Sequence, residues 1–310
     1  MEKRILIAVD DSRHSKNAIR YAVQMSARVD NLHFDLFHIQ PMISGFLQEE
    51  ARKDGQARKQ LNRLMQANEK AALQLVEACR DEMVGLGAAA EKIECLTRKR
   101  NLGFAKDIIE FAQEKRYDAI VAGRRGLSRL EKLYTGSVTA NILEQSRVIP
   151  VWLVNGETAA GDILVAVDGS EACLRVIDHV GFMLSQNAKA RITLLHAAGA
   201  SGSRCQRGSG GDSDQELAEI ITRGEKACID LFCSQAWKHF EEAGLPKERV
   251  KLEVVKGGRK AGKTILDFAA RKKFGTIVVG RRGIDKAFFM GSVSRYLIDK
   301  VTSGALWIVP

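Results

Sequence analysis

The stretch ILIAVDDS, Ile5 to Ser12, returns as ILVAVDGS, Ile163 to Ser170, and this recurrence decides how the chain is read. The offset is 158 residues, and LFHI (36–39) meets LLHA (194–197) at the same distance. Further along, KDIIEFA (106–112) meets KTILDFA (263–269) at 157, and the closing VWLV (151–154) meets LWIV (306–309) at 155. A repeat of this length is a whole domain rather than a small motif, so the chain is a duplication. The expected division is 1–156 and 157–310, joined near Asn155 to Gly161.

Each half alternates short β-rich runs with longer helical stretches. The first half predicts strands near 4–9, 32–39, 91–97, 118–122 and 150–154, with helices near 13–28, 56–85, 102–115 and 137–146. The second repeats the order, with strands near 162–167, 191–196, 249–255, 275–279 and 305–309. Runs such as AIVAG and TIVVG are apolar at nearly every position, as a parallel sheet covered on both faces requires. The fold class is therefore α/β: two doubly wound domains, each with a five-stranded parallel sheet. The Gly/Ser-rich segment 199–214, GASGSRCQRGSGGDSD, reads as a mobile loop where the first half has the more apolar PMISGFLQEE.

The bulk composition narrows the function classes. At 310 residues, 45% hydrophobic and 28% charged, the chain reads as globular, with room for two cores. Its start, MEKRILIAVDDS, carries too short an apolar run for a signal peptide or membrane span, which predicts a cytoplasmic protein. Six cysteines without a C-x-x-C pair argue against a zinc or disulfide framework. The net charge of +10 divides evenly between the halves, which suits small anions such as phosphates better than a dedicated nucleic-acid face.

A ligand in an open parallel sheet binds beyond the carboxyl ends of the strands, where strand order reverses. If the order is 3-2-1-4-5, Asp10 at the end of the first strand and Gly123 at the end of the fourth face one crevice. The segment from Gly123, GRRGLSRLEKLYTGS, then supplies Gly126, Gly136 and Ser137. Glycines let backbone N–H groups approach phosphate oxygens, and Ser137 adds a hydroxyl at a helix N-terminus. Arg125 adds a cation beside them. Each feature also has a plainer reading: Asp10 as a helix cap, with Asp11, Ser12 or Ser15 as competitors, G-x-x-G as a turn, and Arg124 and Arg125 as solvated surface. Their joint recurrence in a duplicated α/β unit favours a nucleotide site.

Two motifs are decoys. GGRKAGKT (257–264) fits the Walker A spacing, yet it follows a third strand and its first-half counterpart, RKRNLGFAKD, lacks the glycines. SGGDS (209–213) resembles a pyrophosphatase loop but lies in the Gly/Ser-rich segment. His38 and His196 end the second strand of each half and read as structural, and no catalytic triad, carboxylate pair or metal cluster recurs.

With these residues in place, the chain resembles a tandem universal stress protein. The family signature is similar to G-x-x-G, nine residues, then G-[ST], after a strand ending in Asp; Gly123, Gly126, Gly136, Ser137 and Asp10 match it. The resemblance implies a Rossmann-like, adenine nucleotide alpha hydrolase-like fold, ATP or AMP as ligand with Mg2+ as its accompanying ion, and a role in stress survival. By position it implies that the Ile39 backbone meets adenine, that Asp10 meets base and ribose, and that Gly123 meets ribose. Gly126, Gly136, Ser137 and Val138 would cradle the phosphates. It also implies an internal pseudo-dimer, with 151–154 and 306–309 paired. In the second half Asp168, Gly280, Gly283, Gly291 and Ser292 are kept, but the spacer IDKAFFM is two residues short. Ala197 stands where the first half has Ile39, and Phe288 and Phe289 would crowd the crevice. The expectation is one good nucleotide site, in the first half. A slow ATPase using Arg124 or Arg125, and a ligand-free module that binds a protein partner, are the alternatives.

Overall fold

The computed structural model describes residues 1–124, 137–157, 159–185, 191–198, 212–256, 260–281 and 290–310. The chain divides at Gly156 and Glu157 into two compact units. In the first, β1 (Lys3–Ala8), α1 (Arg13–Ser26), β2 (Leu32–Gln40), α2 (Gly45–Lys53) and α3 (Gly55–Gly85) precede β3 (Ile93–Lys99). Then come α4 (Phe104–Glu114), β4 (Ala119–Arg124), α5 (Ser137–Gln145) and β5 (Val151–Asn155). The strands are all parallel, in the order β3-β2-β1-β4-β5. The expected order 3-2-1-4-5 is therefore the observed one.

The central strand explains the layering. Ile5, Leu6 and Ile7 of β1 are fully buried, so both faces of the sheet need helices. On one face α1 supplies Ala18, Ile19, Ala22 and Met25, a helical-period stripe packed on β4 and β5. α3 lays Ala72, Val76, Cys79 and Met83 on β2 and β3. The sequence leaves α2 unread because Gly45 and Phe46 interrupt no obvious pattern. Ser44 starts it by accepting the Leu47 N–H at 3.3 Å. Asp54 separates it from α3 by accepting the N–H groups of Gln56 (3.2 Å) and Ala57 (2.8 Å).

Two carboxylates of the first unit are buried where the aligned positions of the second are threonines, Thr193 and Thr264. Asp35 on β2 accepts from the Tyr117 hydroxyl and from Arg4, whose guanidinium also reaches Glu94 at 2.9 Å. Burial nonetheless raises the Asp35 pKa against the pull of Tyr117 and Arg4. Asp107 on α4 opposes its own desolvation by accepting three backbone N–H groups, from Asn101 (2.9 Å), Leu102 (2.8 Å) and Gly103 (3.2 Å). Those bonds and nearby Arg98 hold its carboxyl below the usual range.

The second unit runs β6 (Ile163–Val167), α6 (Glu171–Leu184), β7 (Ile192–Ala198), α7 (Asp212–Glu242) and β8 (Val250–Lys256). It continues through α8 (Ala261–Lys272), β9 (Thr276–Gly280), α9 (Ser292–Lys300) and β10 (Gly304–Val309). Its parallel strands lie in the order β8-β7-β6-β9-β10, the same topology. The segment expected to be a loop over 199–214 needs correction at its end. Residues 199–211 lie outside the described residues, but 212–214 already belong to α7. The same holds for the SGGDS motif, whose last two residues are helical.

Candidate functional site

β1 delivers Asp10 to the carboxyl end of the first sheet. The pairing of β1 with β2 is prolonged there by Val9, whose N–H donates to the Phe37 carbonyl at 3.0 Å. Ser12 stands before the first residue of α1 and its Oγ accepts the Ser15 N–H at 3.4 Å, while Asp10 holds Ser12 itself. The Asp10 Oδ1 accepts the hydroxyls of Ser12 (2.5 Å) and Ser15 (2.6 Å) and the Ser12 N–H (3.2 Å). The Asp10 N–H in turn donates to Ser15 Oγ at 2.9 Å. Short hydroxyl–carboxylate bonds of this kind fix the carboxylate before any ligand arrives.

Beside Asp10 opens a cleft of about 420 Å³. Asp10, Ile39, Gly123 and Val138, predicted from sequence, all line it. Ser12, Ser15, Phe104 and Thr139 line it as well and were not singled out as ligand contacts. The serines were legible as D-x-S-x-x-S, Asp10 to Ser15, a spacing that recurs at Asp168, Ser170 and Cys173. Phe104 comes from α4, and no local pattern could assign it to the cleft. His38 also lines the cleft, and its Nδ1 lies 2.9 Å from the Val9 carbonyl, which can only accept. It ties β2 to β1, and His196 does the same to Val167 at 3.1 Å.

Gly123 is explained differently from the sequence expectation. A Cβ there would lie 2.1 Å from the His14 carbonyl oxygen and 2.4 Å from its carbon. The glycine is therefore required by the close approach of α1 to β4, independently of any phosphate. Thr139 in the first turn of α5 hooks back to the Gly123 carbonyl at 3.3 Å. Arg124 is buried, 8% exposed at the end of β4, which counts against the plainer alternative of solvated surface. Arg125, Gly126 and Gly136 lie outside the described residues, and Ser137 is placed as the first residue of α5.

In the second unit Asp168 Oδ1 accepts the Ser170 N–H (3.0 Å) and the Cys173 thiol (3.0 Å). Burial, then the Asp168 charge, push that thiol up to about 12, so it stays protonated and donates. Gly280 accepts the Ser294 hydroxyl at 2.6 Å. The shortened loop leaves α9 intact: Ser292 opens it just as Ser137 opens α5, and Gly291 precedes it as its cap. The Gly291 N–H, however, donates to the Arg281 carbonyl at 2.8 Å, so that donor is engaged within the protein. Ala197 is buried at the position of Ile39. Gly283, Phe288 and Phe289 lie outside the described residues.

The Walker-like segment has a packing explanation where it is described. A Cβ on Gly262 would come within 2.7 Å of the Tyr296 ring, so the glycine lets α8 lie against α9. Residues 257–259 lie outside the described residues. Among the described residues, no group of three or more His, Cys, Asp or Glu side chains is placed to hold a metal ion. Among the same residues, no helix is long and apolar enough to cross a membrane.

Comparison with solved structures supports the fold over the full length. A universal stress protein from Archaeoglobus fulgidus DSM 4304 is similar with a TM-score of 0.64 at 17% identity, covering 99% of this chain and 97% of its own. A protein of unknown function from Pseudomonas aeruginosa PAO1 gives 0.57 at 17%, covering 99% and 92%. A putative universal stress protein from Pseudomonas aeruginosa UCBPP-PA14 gives 0.55 at 16%, covering 99% and 93%. No curated protein sequence matches the chain. The universal stress protein family model matches twice, over residues 1–155 and 160–310, and the chain belongs to that family as a tandem member.

Proposed function

We propose that this protein is a stress-response or regulatory protein that binds ATP or AMP in the cleft of its first domain, with the second domain weak or empty. The observation that carries the reading is the convergence of Asp10, Ile39, Gly123 and Val138 on one cleft of about 420 Å³. Asp10, fixed by two serines, is the acceptor for ribose hydroxyls or a base amino group, and buried Ile39 offers an apolar wall to the base. The start of α5 brings backbone N–H groups and a helix dipole to the phosphate end. Arg125, Gly126, Gly136 and Ser137 complete the cradle in this proposal. Asp168, Gly280, Gly283, Gly291 and Ser292 form the weaker copy, because the Gly291 N–H is already engaged.

Isothermal titration with ATP is expected to give about one site per chain, lost in Asp10→Ala and in Gly126→Val. Two equal sites, or none, would overturn the reading. Retained adenine nucleotide in the purified protein, read by mass spectrometry, separates it from a ligand-free interaction module. The expected association of 151–154 with 306–309 belongs to the same proposal, since an apolar outer strand left open invites pairing. Amide exchange at both segments is expected to be much slower than at the outer strand β3, and equal rates would exclude it.

A further inference from the structure

The outer strand of the second sheet, β8, is unlike its counterpart in the first. In β3 the polar groups are committed within the unit: Glu94 bonds Arg4 at 2.9 Å, Arg98 faces Glu110 and Glu114 at 3.9 Å, and Cys95 donates to the Val76 carbonyl. In β8 the run Lys251-Leu252-Glu253-Val254 is exposed, with Leu252 at 36% and Val254 at 54%. The strand is hydrogen-bonded to β7 along one side and ends the sheet order on the other. Such an edge presents unpaired backbone donors and acceptors, and apolar side chains on it favour pairing.

We propose that β8 is a self-association edge, pairing antiparallel with β8 of a second copy of this chain about a two-fold axis through Leu252. Side chains alternate along a strand, so a two-fold axis normal to the sheet sets residues of the same face opposite each other. About Leu252, Lys251 of each copy faces Glu253 of the other, giving two opposite-charge pairs by symmetry. Val250 faces Val254, and Leu252 faces itself. Centring one residue earlier sets Lys251 on Lys251, and one residue later sets Glu253 on Glu253, both repulsive. Centring on Val254 leaves Glu253 opposite Val255 and Leu252 opposite Lys256. The alternation of Lys251 and Glu253 around Leu252 thus selects one isologous register.

Analytical ultracentrifugation of the full chain tests this. The unaltered protein is expected to dimerise reversibly. Lys251→Glu and Glu253→Lys, each converting both pairs to like charges, are expected to weaken the dimer about tenfold or more. The double reversal is expected to restore it. Mixing the two single variants is expected to give a heterodimer, because positions 251 and 253 are then both acidic in one chain and both basic in the other. An unaltered chain that stays monomeric at its highest soluble concentration overturns the proposal, as does a dimer indifferent to both reversals. The changes lie on exposed side chains, so circular dichroism is expected to be the same for all variants.

Discussion

In the first unit the strand-one carboxylate, Asp10, accepts the Ser15 hydroxyl; at the corresponding place in the second, its counterpart Asp168 accepts the Cys173 thiol. A thiol is a weaker donor than a hydroxyl, so the Cys173 contact orients Asp168 less firmly than the Ser15 contact orients Asp10. In the second unit the Gly291 N–H, just before α9, is engaged by the Arg281 carbonyl. Duplication preserved the topology of the sheet and the strand-to-strand histidine ties. What diverged is the side chain that donates to the strand-one carboxylate, serine in one unit and cysteine in the other.

The largest expected effect on this comparison comes from Gly123→Val. The new Cβ would meet the His14 backbone at 2.1 Å, so α1 must shift, at a cost of about 3 kcal/mol or more in urea denaturation. Next, Asp10→Ala is expected to weaken ATP binding about a hundredfold in titration calorimetry, while Asp168→Ala leaves the measured site unchanged. If the two variants behave alike, the asymmetry between the units is wrong.

Tyr117→Phe removes a hydroxyl from buried Asp35, where the second unit has Thr193 and Phe274 at the corresponding positions. The expected loss is about 2 kcal/mol of unfolding free energy, partly recovered when Asp35→Thr is added. Asp107→Asn is expected to cost about 1–2 kcal/mol at neutral pH. The Asp107 carboxyl titrates lower when folded than when unfolded, so its contribution is full above the ordinary carboxylate range and is lost as pH falls through the folded value. The gap between the variant and the unaltered protein should therefore close in acid, and a gap independent of pH would show that the three N–H bonds do not act on the ionised form. The smallest effect is Ser15→Cys, which gives the first unit the second unit's donor. A roughly threefold rise in the ATP dissociation constant is expected, with unchanged stoichiometry.

The fold was legible because its signals are local. Ile5 to Ile7 and Ile277 to Val279 are apolar without interruption, and each is followed or preceded by helix-period stretches of the right length. α2 escaped because its start depends on one serine cap and its end on Asp54, signals that loops share. At the site, Asp10, Ile39, Gly123 and Val138 were found from pattern and resemblance, and they do share one cleft. The reason for Gly123 was not legible, since the atom it avoids belongs to His14, more than a hundred residues earlier. For Arg124 the plainer alternative, solvated surface, follows from two adjacent arginines, but the end of β4 is buried in the unit.

The sequence by itself determined that there are two copies of one α/β domain, how their strands and helices succeed each other, and where carboxylate and glycines recur. These follow from periodicity and self-similarity, which a chain carries in one dimension. Tertiary structure alone decided which hydroxyls hold Asp10, that a thiol takes that place at Asp168, and that the Gly291 N–H is engaged. It also decided that β8 leaves Leu252 and Val254 exposed where β3 commits its polar groups internally. Hydrogen bonds and burial depend on which atoms meet across the fold, and their distances are set by packing rather than by spacing along the chain.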